Sequence, residues 1–141
     1  MTELSLTVAR VIPAPKDRVF QAWLDPKMLT KFMMPGPDMS VPKAETNPVA
    51  GGRFDIVMHA GGNDLPHSGT YKEISPHDRI VFTWESPYSV DDSTVTLEFV
   101  DVDGGTEVTL NHVKFANEEV RDNHKGGWTG ILATLETAIA A

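Results

Sequence analysis

Histidine is the side chain best suited to chemistry near neutral pH, because its unperturbed pKa lies close to about 6.5. This 141-residue chain has five histidines and no cysteine. His112 continues an alternating series with Val108 and Leu110, so it faces the same side of a strand as they do. His124 falls on the apolar stripe of the segment that follows. His67 and Tyr71 are four residues apart and share one face of another strand. In one cavity, such imidazoles would orient a polar group of a ligand or act as acid or base. For His112 and His124 the commoner case is a satisfied buried histidine. His59 and His77 stand beside turns and are expected in solvent.

Other chemistries find little support. No HxH or HxxxH spacing occurs, so no metal and no cofactor is expected. The lack of cysteine excludes thiolate nucleophiles, thiolate metal sites and disulfides. Ser68 in "HSG" and Ser93 lack the G-x-S-x-G setting of a nucleophile elbow. "AGGNDL" and "DGGT" read as hairpin turns. They do not follow a strand and open a helix, as a phosphate-binding loop would.

The residues around the histidines would form a site's walls. Trp128, Ile131 and Leu132 lie on one helical stripe with Val120, His124, Leu135 and Ile139. Trp23, Phe32, Met33, Phe54, Ile56, Met58, Tyr71, Phe82, Trp84, Leu97 and Phe99 are further candidates, of which about half are expected to be plain core. Beside Trp128, "NHKGGWTG" places three glycines in a helix interior, at about 1 kcal/mol each relative to Ala. Gly127 lies at the edge of the apolar stripe, and Gly126 and Gly130 lie nearly opposite. The Gly126-Gly127 pair would let the helix bend over a curved sheet. Alternatively, Gly127 leaves a void that a ligand fills. A third reading makes Gly126 and Gly130 a flat patch for a partner chain, which leaves a homodimer open.

The elements that must position these residues follow from periodicity and breakers. Residues 4–12 alternate as a first strand, stopped by Pro13 and Pro15. "PKDRVFQAWL" is helical until Asp25-Pro26. "KMLTKFMM" is a second short helix, stopped at Pro35 to Pro37. An edge strand is expected around Met39 to Lys43. Strands follow in "RFDIVMH", "HSGTYKEI" and "RIVFTWE", with "AGGNDLP" as a hairpin loop. Val95, Leu97 and Phe99 alternate, Asp103-Gly104-Gly105 turns, and Val108, Leu110 and His112 alternate. Asn117 is the expected N-cap of a helix reaching Ile139, with Glu118 and Glu119 at the positive end of its dipole. The order is β-α-α, then six strands, then one long helix, in a single domain over residues 1–141. The fold class is α+β, an antiparallel sheet covered by the C-terminal helix.

The net charge of −8 opposes nucleic-acid binding and an anionic membrane surface. No run of about 18 apolar residues predicts a membrane span, and no signal-peptide pattern opens the chain. A cytoplasmic location is expected.

"IPAPKDRVFQAWLDP", "GGRFDI", "HSGTYKEISPHDRIVFTWE", "GGTEVTLNH" and "HKGGWTGILATLE", taken in order, resemble the START-like (SRPBCC) superfamily. The nearest branch is the family named for the activator of the heat-shock protein 90 ATPase. The resemblance implies a helix-grip fold, a curved antiparallel sheet holding the long C-terminal helix with a cavity between them. It implies a small hydrophobic or amphipathic molecule as partner, and it transfers no catalytic residue. The leading expectation is a binding protein with its ligand between sheet and helix. The alternatives are an enzyme of the cyclase or hydrolase type acting on an aromatic or polyketide-like substrate in the same cavity, and a regulator of a chaperone ATPase. An enzyme should place a carboxylate or Tyr beside a cavity histidine. No inward carboxylate is evident near His112 or His124, since Arg53, Asp55 and Glu85 fall on the other strand face.

Overall fold

Strands with one apolar face and a helix with one apolar stripe must bury those surfaces against each other. The computed structural model describes residues 4–140 apart from Pro35, Pro37 and Tyr88. It shows how the chain does so. β1 (Ser5–Ile12) turns Leu6 and Ile12 inward. α1 (Lys16–Ala22) follows Pro15 and buries Val19, Phe20 and Ala22. Asp25-Pro26 both ends this first helical segment and opens α2 (Pro26–Phe32). The Asp25 carboxylate accepts from the Lys27 N–H at 2.9 Å, and Pro26 takes a first-turn position where no N–H is needed. Both prolines of the stop expected after α2 lie outside the described residues.

Six further strands follow: β2 (Ser40–Thr46), β3 (Arg53–Ala60), β4 (Asn63–Ser75), β5 (Arg79–Thr83), β6 (Thr94–Val102) and β7 (Gly105–Val113). All neighbouring strands are antiparallel, in the order β1-β7-β6-β5-β4-β3-β2. The first strand therefore pairs with the last, and α1 and α2 carry the chain to the opposite edge. The sheet curls into a half-barrel around α3 (Glu118–Ala140), the helix-grip arrangement. The Asn117 side chain accepts from the Val120 N–H at 2.9 Å, as its N-cap position requires.

β4 departs from the sequence reading. Residues 60–66 were expected to form a loop, yet Ala60 pairs with Asn63 across a two-residue turn at Gly61 and Gly62. Their φ values of 57° and 82° are those of a primed hairpin turn, which glycine adopts without strain. β4 thus begins at Asn63, with Pro66 inside it. Proline is tolerated because β5 pairs only with Tyr71 to Ser75. The first part of β4 overhangs β5, and a missing N–H there breaks no ladder. That overhang carries Leu65 and His67.

The inner face of the sheet holds Phe54, Ile56, Met58, Tyr71, Ile80, Phe82, Trp84, Val95, Leu97, Phe99, Val108, Leu110 and His112, all buried. Gly69 belongs among them because any Cβ there would collide with the Thr83 carbonyl and the Phe54 ring. α3 lays Trp128, Ile131, Leu132, Leu135 and Ile139 on this face. Among the described residues no helix is long and apolar enough to cross a membrane.

Candidate functional site

Trp84 follows β5 and continues its inward series, and its ring divides the interior. On one side, Trp23, Met33, Phe54, Ile56, Tyr71, Phe82 and Leu97 close around a void of about 10 Å³, with Leu29 and Ile80. That is barely room for one water, so this side is packed core. On the other side lies a cleft of about 180 Å³ between sheet and C-terminal helix. Met58, His67 and Trp84 line its sheet wall, with His124, Gly127, Trp128 and Ile131 on the helix wall. Leu65, Asn123, Met39 and Pro87 complete it.

Four of the expected wall residues lie elsewhere. Phe32 packs edge-on against Trp23, with centroids 5.0 Å apart. Phe99 packs against Phe20 of α1 at 5.4 Å. Leu132 faces a separate recess of about 160 Å³ beside Val8 to Arg10 on β1. His112 is fully buried, and both its ring nitrogens are engaged within the protein. The strand period sets which face each side chain takes, but not which half of the interior it reaches.

Leu65 alternates with His67, and Asn123 sits one helical turn before Gly127, so both were readable once β4 was known to start early. Pro87 comes from an irregular loop with no periodic signal, and Met39, the first residue of the expected edge strand, lies just before β2.

The geometry around His112 decides its chemistry. The Trp128 indole Nε1–H reaches its Nδ1 at 3.0 Å. An indole N–H only donates, so Nδ1 is bare and the ring proton sits on Nε2. Nε2–H then donates to Ser93 Oγ at 2.6 Å. A serine beside a histidine resembles a nucleophile with its base, but here the nitrogen facing Ser93 already carries a proton and accepts none. Burial, and secondarily the neighbouring His124, push the His112 pKa down to about 3. The group is a neutral polar anchor that fixes Trp128 above the sheet.

The two cleft histidines differ from it. His124 Nδ1 lies 2.8 Å from the Val120 carbonyl one turn back. A carbonyl only accepts, so Nδ1 carries the proton and neutral His124 has a bare Nε2. His67 stacks on Trp84 with centroids 4.8 Å apart. Burial lowers its pKa to about 4, the Leu65 carbonyl partly offsets this, and His124 lowers it further. Its Nδ1 and the Trp84 Nε1–H are buried without a geometrically sound hydrogen bond among the described residues. Of the histidines expected in solvent, His59 is paired with Asp64 at 2.8 Å and half exposed. His77 instead packs its ring edge against Phe20 at 5.3 Å. Among the described residues no group of His, Asp and Glu is placed to hold a metal ion.

A half-barrel closed by one long helix, with an apolar cleft between them, defines a helix-grip protein of the START-like class. Residues 13–140 match the family model described as "Activator of Hsp90 ATPase homolog 1-like protein", and the chain belongs to that family. Solved structures agree on the fold. A Chromobacterium violaceum protein superposes with a TM-score of 0.86 at 24% identity, over 97% of both chains. The AHSA1-like protein from Aeromonas hydrophila gives 0.85 at 22%, over 97% of this chain and 92% of that one. A Nitrosomonas europaea protein gives 0.82 at 23%, over 97% and 94%. Among curated proteins none matches the sequence.

Proposed function

We propose that this protein binds a small apolar or amphipathic molecule in the cleft between the sheet and α3. The observation that carries this reading is the cleft itself, about 180 Å³ walled by Met58, Leu65, Trp84, Trp128 and Ile131. A dry cavity of about 150 Å³ holds a benzene ring, so this one suits a single ring or a short branched chain. Methionine walls adapt to different ligand shapes. Gly127 contributes because it lines the cleft with no side chain to fill it. The bond pattern at His112 weighs against hydrolysis by Ser93, since the imidazole has no free acceptor for the serine proton.

Native mass spectrometry of the protein purified under gentle conditions tests the reading. The expected result is a small-molecule adduct that is lost in Gly127→Leu while the variant keeps its far-UV spectrum. An adduct equally retained by Gly127→Leu would place the ligand elsewhere.

A further inference from the structure

The polar atoms of the cleft define what its ligand must carry. Among the described residues, no lysine, arginine, aspartate or glutamate lines it. A carboxylate entering it would therefore lose its hydration and meet no fixed countercharge. Its polar groups among the described residues are the Asn123 amide, His67 and His124. With Nδ1–H donated to the Val120 carbonyl, neutral His124 has a bare Nε2, and that nitrogen makes no hydrogen bond among the described residues. A bare imidazole nitrogen accepts and does not donate.

We infer that the cleft selects a neutral, hydroxyl-bearing small ring compound, with His124 Nε2 accepting the ligand's hydroxyl proton. A hydroxyl donates the proton that this imidazole nitrogen accepts. A carbonyl or ether only accepts, which leaves His124 unsatisfied. An apolar ligand fills the volume and leaves the polar wall desolvated and unpaired. His124 is thus a specificity-determining residue. This inference rests on the proposed ligand-binding role of the cleft, and it adds the chemical class and the residue that reads it.

Three probes of nearly equal shape separate the two levels: p-cresol, p-xylene and p-toluate. Their dissociation constants are measured by NMR titration near neutral pH, for the wild type and for His124→Phe. The wild type is expected to prefer p-cresol, with p-toluate weakest. The p-cresol preference over p-xylene should fall by about tenfold in His124→Phe, the loss of one hydrogen bond. In the wild type, the His124 Nε2 15N resonance should move upfield with p-cresol and stay in place with p-xylene. That signature needs no variant, so it decides the question even if His124→Phe does not fold. Equal binding of p-cresol and p-xylene, with no movement of Nε2, would overturn the hydroxyl assignment and leave the binding role standing. Binding of none of the three at millimolar concentration would overturn both.

Discussion

Two regions of one sheet face have opposite fates. On the α1–α2 side of Trp84, aromatic and aliphatic side chains from β3 to β6 meet Trp23, Leu29 and Met33 and leave about 10 Å³. On the α3 side, methionine, leucine, isoleucine and tryptophan, with His67, Asn123 and His124 among them, leave about 180 Å³. The apolar residues do not separate them, because both walls contain methionine and tryptophan. Backing does. The closed side is covered by short helices whose buried residues reach into the sheet. The open side is covered by a helix with Gly127 at the contact, and by the part of β4 that runs past the end of β5. A cavity here results from what the covering element omits.

The strongest challenge to this contrast is at Trp128, which borders the cleft yet is anchored by His112. Trp128→Ala removes a buried ring and also leaves His112 Nδ1 without its donor. It should cost about 3–5 kcal/mol in urea unfolding. A loss below about 1 kcal/mol would mean that the ring does not belong to the core.

Acidification comes next. His112 and His67 have native pKa values of about 3 and about 4, below the unfolded value near 6.5. The unfolded chain therefore takes up protons first. Their contribution is fully present above about pH 6.5 and is lost as pH falls toward the native values, on the order of a few kcal/mol. Urea midpoints measured from pH 7 to 4 should fall steadily, and less steeply in His67→Phe. A flat profile would show that neither imidazole is held neutral by the fold.

Paired truncations sharpen the comparison further. Leu97→Ala opens an enclosed void on the packed side, whereas Met58→Ala widens a cleft that is already open. The first should cost about 1–2 kcal/mol more than the second, because only enclosed space carries the full cavity penalty. Equal losses would erase the distinction between the two sides. The smallest stability effect is expected at Gly127. Gly127→Leu exchanges a poor helix former for a good one, so stability should change by less than about 1 kcal/mol. Uptake of an apolar fluorescent probe should nonetheless disappear.

Much of the frame was legible before any coordinates. Val95-Leu97-Phe99, the Asp103-Gly104 turn and the Asn117 cap lie where their spacing puts them, because they obey local rules of period and turn chemistry. The start of β4 was not legible. Pro66 and the polar residues before it imitate a loop, and only the absence of a β5 partner makes a proline acceptable there. The site was half legible for the same reason. Periodicity turned His112 inward correctly. Its bonds to Ser93 and Trp128 join residues 19 and 16 positions away, and they arise from tertiary packing that no local pattern records. The bare Nε2 of His124 depends on its bond to Val120, which helical spacing permits but does not require.

The central claim is that the apolar space beside Gly127 is open to a ligand while the space beyond Trp84 is filled. Methyl 1H–13C spectra recorded during a titration with toluene test it most directly. The account expects saturable shifts at Met39, Met58, Leu65 and Ile131, with Leu29, Met33, Ile80 and Leu97 unmoved. Shifts confined to the second group, or none in either, would contradict it.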